Sequence, residues 1–146
     1  MSDNTVLATV QSVTNQGAGA MVTSLTANQG DRAAAARVFN ALNNPSEKVS
    51  NHINEVIEVR DYLIEMVEME KQDAYGNGTG EYEVVPRVVL ISPDGTAYQA
   101  VSRGMANCLR NLIGCVGNAP WEPAISLKVK QISVGRGSML TAEMVG

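Results

Sequence analysis

Lys128, Lys130 and Arg136 lie together in the stretch ISLKVKQISVGRGSML, residues 125–140 of a 146-residue chain with a formal charge of −4. Ile125, Leu127 and Val129 alternate with Ser126, Lys128 and Lys130. This is the period-two pattern of a half-buried strand. Both lysines therefore share one strand face, and Arg136 stands between Gly135 and Gly137 on a turn. Ammonium and guanidinium groups aligned in this way suit contact with phosphates; the alternative is a solvated face with no ligand.

A nucleic-acid groove also needs aromatic faces on which bases stack. The chain offers Phe39, Tyr62, Tyr75, Tyr82, Tyr98 and Trp121. Phe39 is assigned to helix packing. Tyr75 sits in the glycine-rich DAYGNGTGE (73–81), as a groove contact or as plain exposure. A hairpin pairing Ile91 with Thr96 places Tyr98 on the same side as Arg87, beside Val89. That position suits base stacking, and a packed core tyrosine equally. Trp121, in NAPWEP, is expected to plug the end of a barrel, with stacking as the alternative.

Charge is unevenly spread. Residues 51–83 hold nine acids against Arg60 and Lys71. Residues 84–146 hold Arg87, Arg103, Arg110, Lys128, Lys130 and Arg136 against Asp94, Glu122 and Glu143. A phosphate-binding surface depends on this local field rather than on the total. The candidate nucleic-acid contacts are thus Tyr75, Arg87, Tyr98, Arg103, Trp121, Lys128, Lys130 and Arg136.

Catalysis is not expected. No serine or cysteine has a histidine base near it in sequence, and GNGTG lacks the Lys-Ser/Thr that completes a P-loop. Cys108 and Cys115 are seven apart on a segment read as helix, roughly 10 Å along its axis, against a disulfide limit of ~7 Å. Both are expected to be small core residues. With His52 far from them in sequence, no metal site is expected, and no cofactor. The apolar runs are too short to span a membrane. The start, MSDNTVLATVQSV, carries Asp3 and no basic residue before its apolar stretch, a poor secretory signal. A cytoplasmic location is the expectation.

The elements that must position these residues follow from patterning. Residues 1–30, rich in Thr, Ser, Asn, Gln, Ala and Gly, read as a flexible N-terminal arm, and residues 31–146 as one domain. Asp31 can cap a helix running to about Leu42. Residues 53–70 fit either a helical stripe or a long strand with one bulge, and their β-branched content favours the strand. Residues 81–91 form a second strand, Ser92-Pro93-Asp94-Gly95 a tight turn, and residues 96–102 a third. Ser102 or Asn107 opens a helix with Met105, Leu109, Leu112, Ile113 and Val116 on one face, and Gly117 stops it. A last hairpin spans Ile125 to Val145. The expected fold is mostly β: a five-stranded OB-fold barrel with a helix between strands 3 and 4, preceded by the short N-terminal helix and arm.

RVVLISPDGTAYQAVSRG (87–104), MANCLRNLIGCVG (105–117) and WEPAISLKVKQISVGRG (121–137) resemble single-stranded DNA-binding proteins of phages and conjugative plasmids of Gram-positive bacteria. The resemblance covers about residues 40–145. It implies an OB-fold that coats and protects single-stranded DNA, without strong sequence preference, during replication or transfer, with RNA left open as a ligand. It assigns no individual contact residue. Strand one is more acidic than a DNA groove, so its acids should face away from DNA. The arm is expected to tether copies into a homo-oligomer or side-by-side assembly. The other reading is a phage structural or adaptor protein assembled through that arm.

Overall fold

The β-branched segment at residues 53–70 forms two strands separated by one residue, β3 (Val56–Val59) and β4 (Asp61–Gln72). The computed structural model describes residues 19–24, 31–134 and 137–145. Arg60 marks the break and is held on both sides. Its N–H donates to the Ile91 carbonyl at 2.8 Å, and its carbonyl accepts the Trp121 N–H at 2.9 Å. Because the chain changes sheets at Arg60, this single stretch supplies strands to both.

The first sheet has five strands in the order β1-β4-β5-β6-β2. The others are β1 (Met21–Thr23), β2 (Glu47–Lys48), β5 (Gly78–Ile91) and β6 (Ala97–Val101). Only the β2–β6 pair is parallel. The second sheet has the order β3-β7-β8, with β7 (Ile125–Val134) and β8 (Gly137–Val145). The fold is mostly β, as expected, but the closed five-stranded barrel does not form. Among the described residues no ladder joins the two sheets. The physical reason is that β8 meets a helix where closure needs a strand.

That helix, α2 (Arg103–Val116), lies between β6 and β7 and packs against both β5 and β8. The Ser102 hydroxyl caps it by accepting the Met105 N–H at 3.1 Å. The Gly117 N–H closes its last turn on the Ile113 carbonyl at 2.9 Å. Met105, Leu109, Leu112 and Ile113 are buried, while Val116 is exposed.

The main core lies between the sheets. Tyr62, Ile64, Val88 and Leu90 meet Ile57, Val59, Leu127 and Val129, with Met105, Leu109 and Ile113 from α2. Desolvation there pushes the Tyr62 phenol above its ordinary pKa. A second cluster, on the opposite face of the first sheet, seats Ala41 of helix α1 (Arg32–Asn43) on Leu63, Val89, Ile91 and Ala97. α1 touches the sheet through a small residue, so Phe39 is left 58 % exposed rather than packed as expected. The cysteine expectation is also corrected in part: Cys108 is half-buried with its thiol pKa raised by burial, and Cys115 is exposed.

Within residues 1–30, the segment 19–24 is tied to β4. Gly19 N–H donates to the Met66 carbonyl at 2.9 Å, and Met66 N–H returns to Ala20 at 2.8 Å. The Thr23 hydroxyl donates to the Tyr62 carbonyl at 2.7 Å, and the Ser24 hydroxyl to Asp61 Oδ1 at 2.9 Å. The hydroxyls that suggested an arm by composition thus serve here as hydrogen-bonding groups of a strand end. Residues 1–18 and 25–30 lie outside the described residues. No described helix is long and apolar enough to cross a membrane.

Candidate nucleic-acid interface

The β4–β5 hairpin outruns the body of the protein. From Glu68 to Glu83 every residue is exposed. Its tip is nonetheless well tied. Asp73 Oδ1 accepts the N–H groups of Tyr75 at 2.8 Å and Asn77 at 3.0 Å, an Asx-type arrangement. The Asp73 N–H also donates to the Asn77 carbonyl at 2.9 Å. Further back, Glu70 Oε2 accepts the Gly80 N–H at 3.1 Å, and the Thr79 hydroxyl donates to the Lys71 carbonyl at 2.9 Å. Tyr75 thus stands 89 % exposed on a hydrogen-bonded turn. Tyr82, 60 % exposed on the same hairpin, is a second candidate, one that sequence patterning alone does not single out. Its signal was there in the alternation of EYEVV, but its exposure depends on where the body ends.

Tyr98 is not beside Arg87. Ser92 N–H donates to the Thr96 carbonyl at 2.9 Å, so five residues form the turn and Ile91 pairs with Ala97, one residue beyond the expected Thr96. A one-residue slip sends every following side chain to the other face. Tyr98 therefore lies opposite Leu90 and packs against the main core. Its ring meets His52 edge-on at 5.1 Å. His52 in turn bridges Glu47 at 2.9 Å and Glu55 at 3.1 Å, and those two carboxylates raise its pKa.

Arg87 occupies the opposite face, in register with Glu65 and Val101. Its side chain is only 11 % exposed, with Nη1 at 3.3 Å from Glu65 Oε1 and Nε at 3.3 Å from Gln99 Oε1. A neutralised, enclosed guanidinium is a poor phosphate ligand without rearrangement. Arg103, in the first turn of α2, is more open. It meets Glu83 at 3.5 Å and the Val84 carbonyl at 3.4 Å. With Met69, Glu83, Val85 and Val101 it lines an open hollow of about 390 Å³ at the root of the hairpin. The structure thus brings Arg103 to the hairpin that carries Tyr75.

Lys128 and Lys130 are on the other sheet, on the face of β7 away from buried Leu127 and Val129. The alternation expected from the sequence is present. Lys130 pairs with Glu143 at 3.7 Å. Lys128 is half-buried and has no carboxylate within ion-pair distance among the described residues. Arg136 lies outside the described residues. Trp121 takes the packed alternative: it is 6 % exposed, 6.1 Å from the Tyr62 ring, and its Nε1–H donates to the Gly117 carbonyl at 3.0 Å. It offers no open face for a base.

Residues 17–142 match the family described as Phage Single-stranded DNA-binding protein, of the Phi29 type. The chain belongs to that family. No curated protein and no solved structure matches it. Family membership makes single-stranded DNA the partner against which the exposed hairpin is to be judged. Tyr75→Ala should then weaken binding of an oligo-dT by roughly 1–3 kcal/mol if the ring stacks on bases. The melting temperature should stay unchanged, because an 89 % exposed ring supports no core. Fluorescence titration alongside a thermal melt checks both; unchanged affinity would return Tyr75 to plain exposure.

Proposed function

We propose that this protein coats single-stranded DNA without strong sequence preference and without a catalytic step, protecting strands during phage replication or transfer in the host cytoplasm. The observation that carries this reading is the tied β4–β5 hairpin, which presents Tyr75 at its tip and Tyr82 along its arm to solvent and has Arg103 at its root. Exposed aromatics beside cations bind single strands through faces that every base possesses. Lys128, on the outer face of the second sheet, is a further cation for phosphate contact. The exposed acids Glu68 and Glu70 belong to the hairpin's own frame, Glu70 through the Gly80 N–H.

The architecture supports an OB-fold in which β3 and β4 together form the long first strand, followed by β5, β6, α2, β7 and β8. In this reading α2 fills the gap that strand pairing leaves between the sheets. The part of the N-terminal arm that precedes β1 then serves to tether neighbouring copies, raising the local concentration of the next subunit along a strand.

A titration of fluorescent oligo-dT tests the reading, with a duplex of equal length and an RNA oligomer as competitors. Single strands should bind in preference to duplex. Affinity should fall with salt, by about 0.7 in the log–log slope for each phosphate contact. Equal affinity for duplex, or a salt-independent signal, contradicts the proposal.

A further inference from the structure

Away from the hairpin, α1, the turn between β5 and β6 and the loop before β7 enclose a cavity of about 130 Å³. Its wall includes Ser24, Arg37, Arg60, Asp61, Gly95 and Pro120. Two arginines therefore line one small space from different elements. Arg37 has no hydrogen-bond or ion-pair partner among the described residues. Arg60 holds Glu122 through Nη2 at 2.5 Å. Its Nε, however, is shielded from solvent and has no acceptor, the one buried side-chain polar atom so placed among the described residues. Asp61 Oδ2 lies 3.9 Å away, beyond hydrogen-bond reach, and Asp61 Oδ1 already accepts the Ser24 hydroxyl.

We infer that this cavity is a phosphate-binding site formed by Arg37 and Arg60. The Arg60 side chain as a whole is 42 % exposed, but its buried Nε–H lacks an acceptor, and an arriving anionic oxygen would supply one. Arg60 is already paired with Glu122, and Asp61 lies beside it. Arg37 is therefore the cation on the wall without an ion-pair partner among the described residues, and it supplies the charge that a singly negative phosphodiester needs. Guanidinium groups suit it better than ammonium groups do, because their planar forks match paired phosphate oxygens. Arg60 is also well anchored: its backbone is bonded to Ile91 and to Trp121, so its side chain starts from a fixed point. The phosphate can come from the backbone of bound single-stranded DNA or from free phosphate. The first source rests on the function proposed above.

The test uses the full chain and the variant Arg37→Gln, which removes an exposed side chain from the middle of a helix. For oligo-dT the variant should bind about three- to tenfold more weakly at low salt, with a log–log salt slope shallower by about 0.7. In parallel, inorganic phosphate is titrated at constant ionic strength against chloride, reading the melting temperature. A DNA phosphate predicts the slope change. A phosphate-dependent rise in melting temperature that Arg37→Gln abolishes, with the DNA slope unchanged, assigns the site to free phosphate. If the parent protein fails to bind oligo-dT yet shows that rise, the site stands and the DNA-coating function falls. If Arg37→Gln matches the parent in both arms, the site is overturned.

Discussion

Trp121→Ala should lower the unfolding free energy by roughly 3–5 kcal/mol, the range for truncating a large buried aromatic. Three features of the structure make the loss large. The indole is almost fully enclosed and lies over Tyr62, so its removal opens a cavity against a large, fully buried side chain of the main core. Its Nε1–H satisfies the Gly117 carbonyl, just beyond the end of α2, which loses that donor. The loop that carries it also holds Glu122, the partner of Arg60, so disorder there reaches the point where β3 gives way to β4. Trp121→Phe retains most of the apolar volume and should cost less, chiefly the hydrogen bond, about 1 kcal/mol. Urea denaturation of the three proteins gives the order, and oligo-dT affinity of the folded fraction gives the role. A stacking tryptophan would show the reverse pattern, with affinity lost and stability kept.

Trp121 also illustrates what the sequence could and could not reveal. Its placement between prolines pointed to a plug, and packing over Tyr62 agrees. The strand through Leu127 and Val129 was legible because alternation is local and announces a buried face without knowledge of any partner. Residues 53–70, in contrast, fit a helical stripe as well, and only their β-branched content favours a strand. The helix start was legible as Ser102 or Asn107, and the hydrogen bond from the Met105 N–H selects Ser102. Register was not. The turn residues Pro93, Asp94 and Gly95, with Gly95 at φ +92°, mark a reversal in a four-residue or a five-residue loop alike. The Ser92–Thr96 hydrogen bond decides between them, and with it which way Tyr98 points. Charge pairing was hidden in the same way. Arg87 is recognisable as a cation, but its pairing with Glu65 arises only from the β4–β5 ladder. Tyr75 was the easier residue, since glycines around an aromatic leave it no core to enter. Phe39 misled because helix α1 meets the sheet through Ala41, and a small contact residue carries little signal.

Gly104→Val should destabilise the fold by about 3 kcal/mol, at the upper end of the cost of overpacking. Gly104 is buried in the first turn of α2, where a Cβ would collide with the Leu140 carbonyl and the Met139 side chain of β8. A methionine tip can swing aside, but a strand carbonyl cannot move without disturbing the β7–β8 ladder, where Leu140 is in register with Gln131. The consequence reaches beyond one contact. Since no ladder joins the sheets among the described residues, the apolar core between them, the packing of α2 against β5 and β8 and the chain passing through Arg60 hold them in one body. Forcing the helix off β8 also shifts Ser102 and Arg103, and with them the Arg103 contacts to Glu83 and Val84 at the hairpin root. Gly104→Ala should show the same defect in weaker form, about 1–3 kcal/mol. Thermal melts rank the two variants. Oligo-dT titration of each, below its melting temperature, then reads how far the displaced helix carries into the DNA surface. If Gly104→Val melts like the parent, α2 does not seal the gap between the sheets, and the close contact with β8 is incidental.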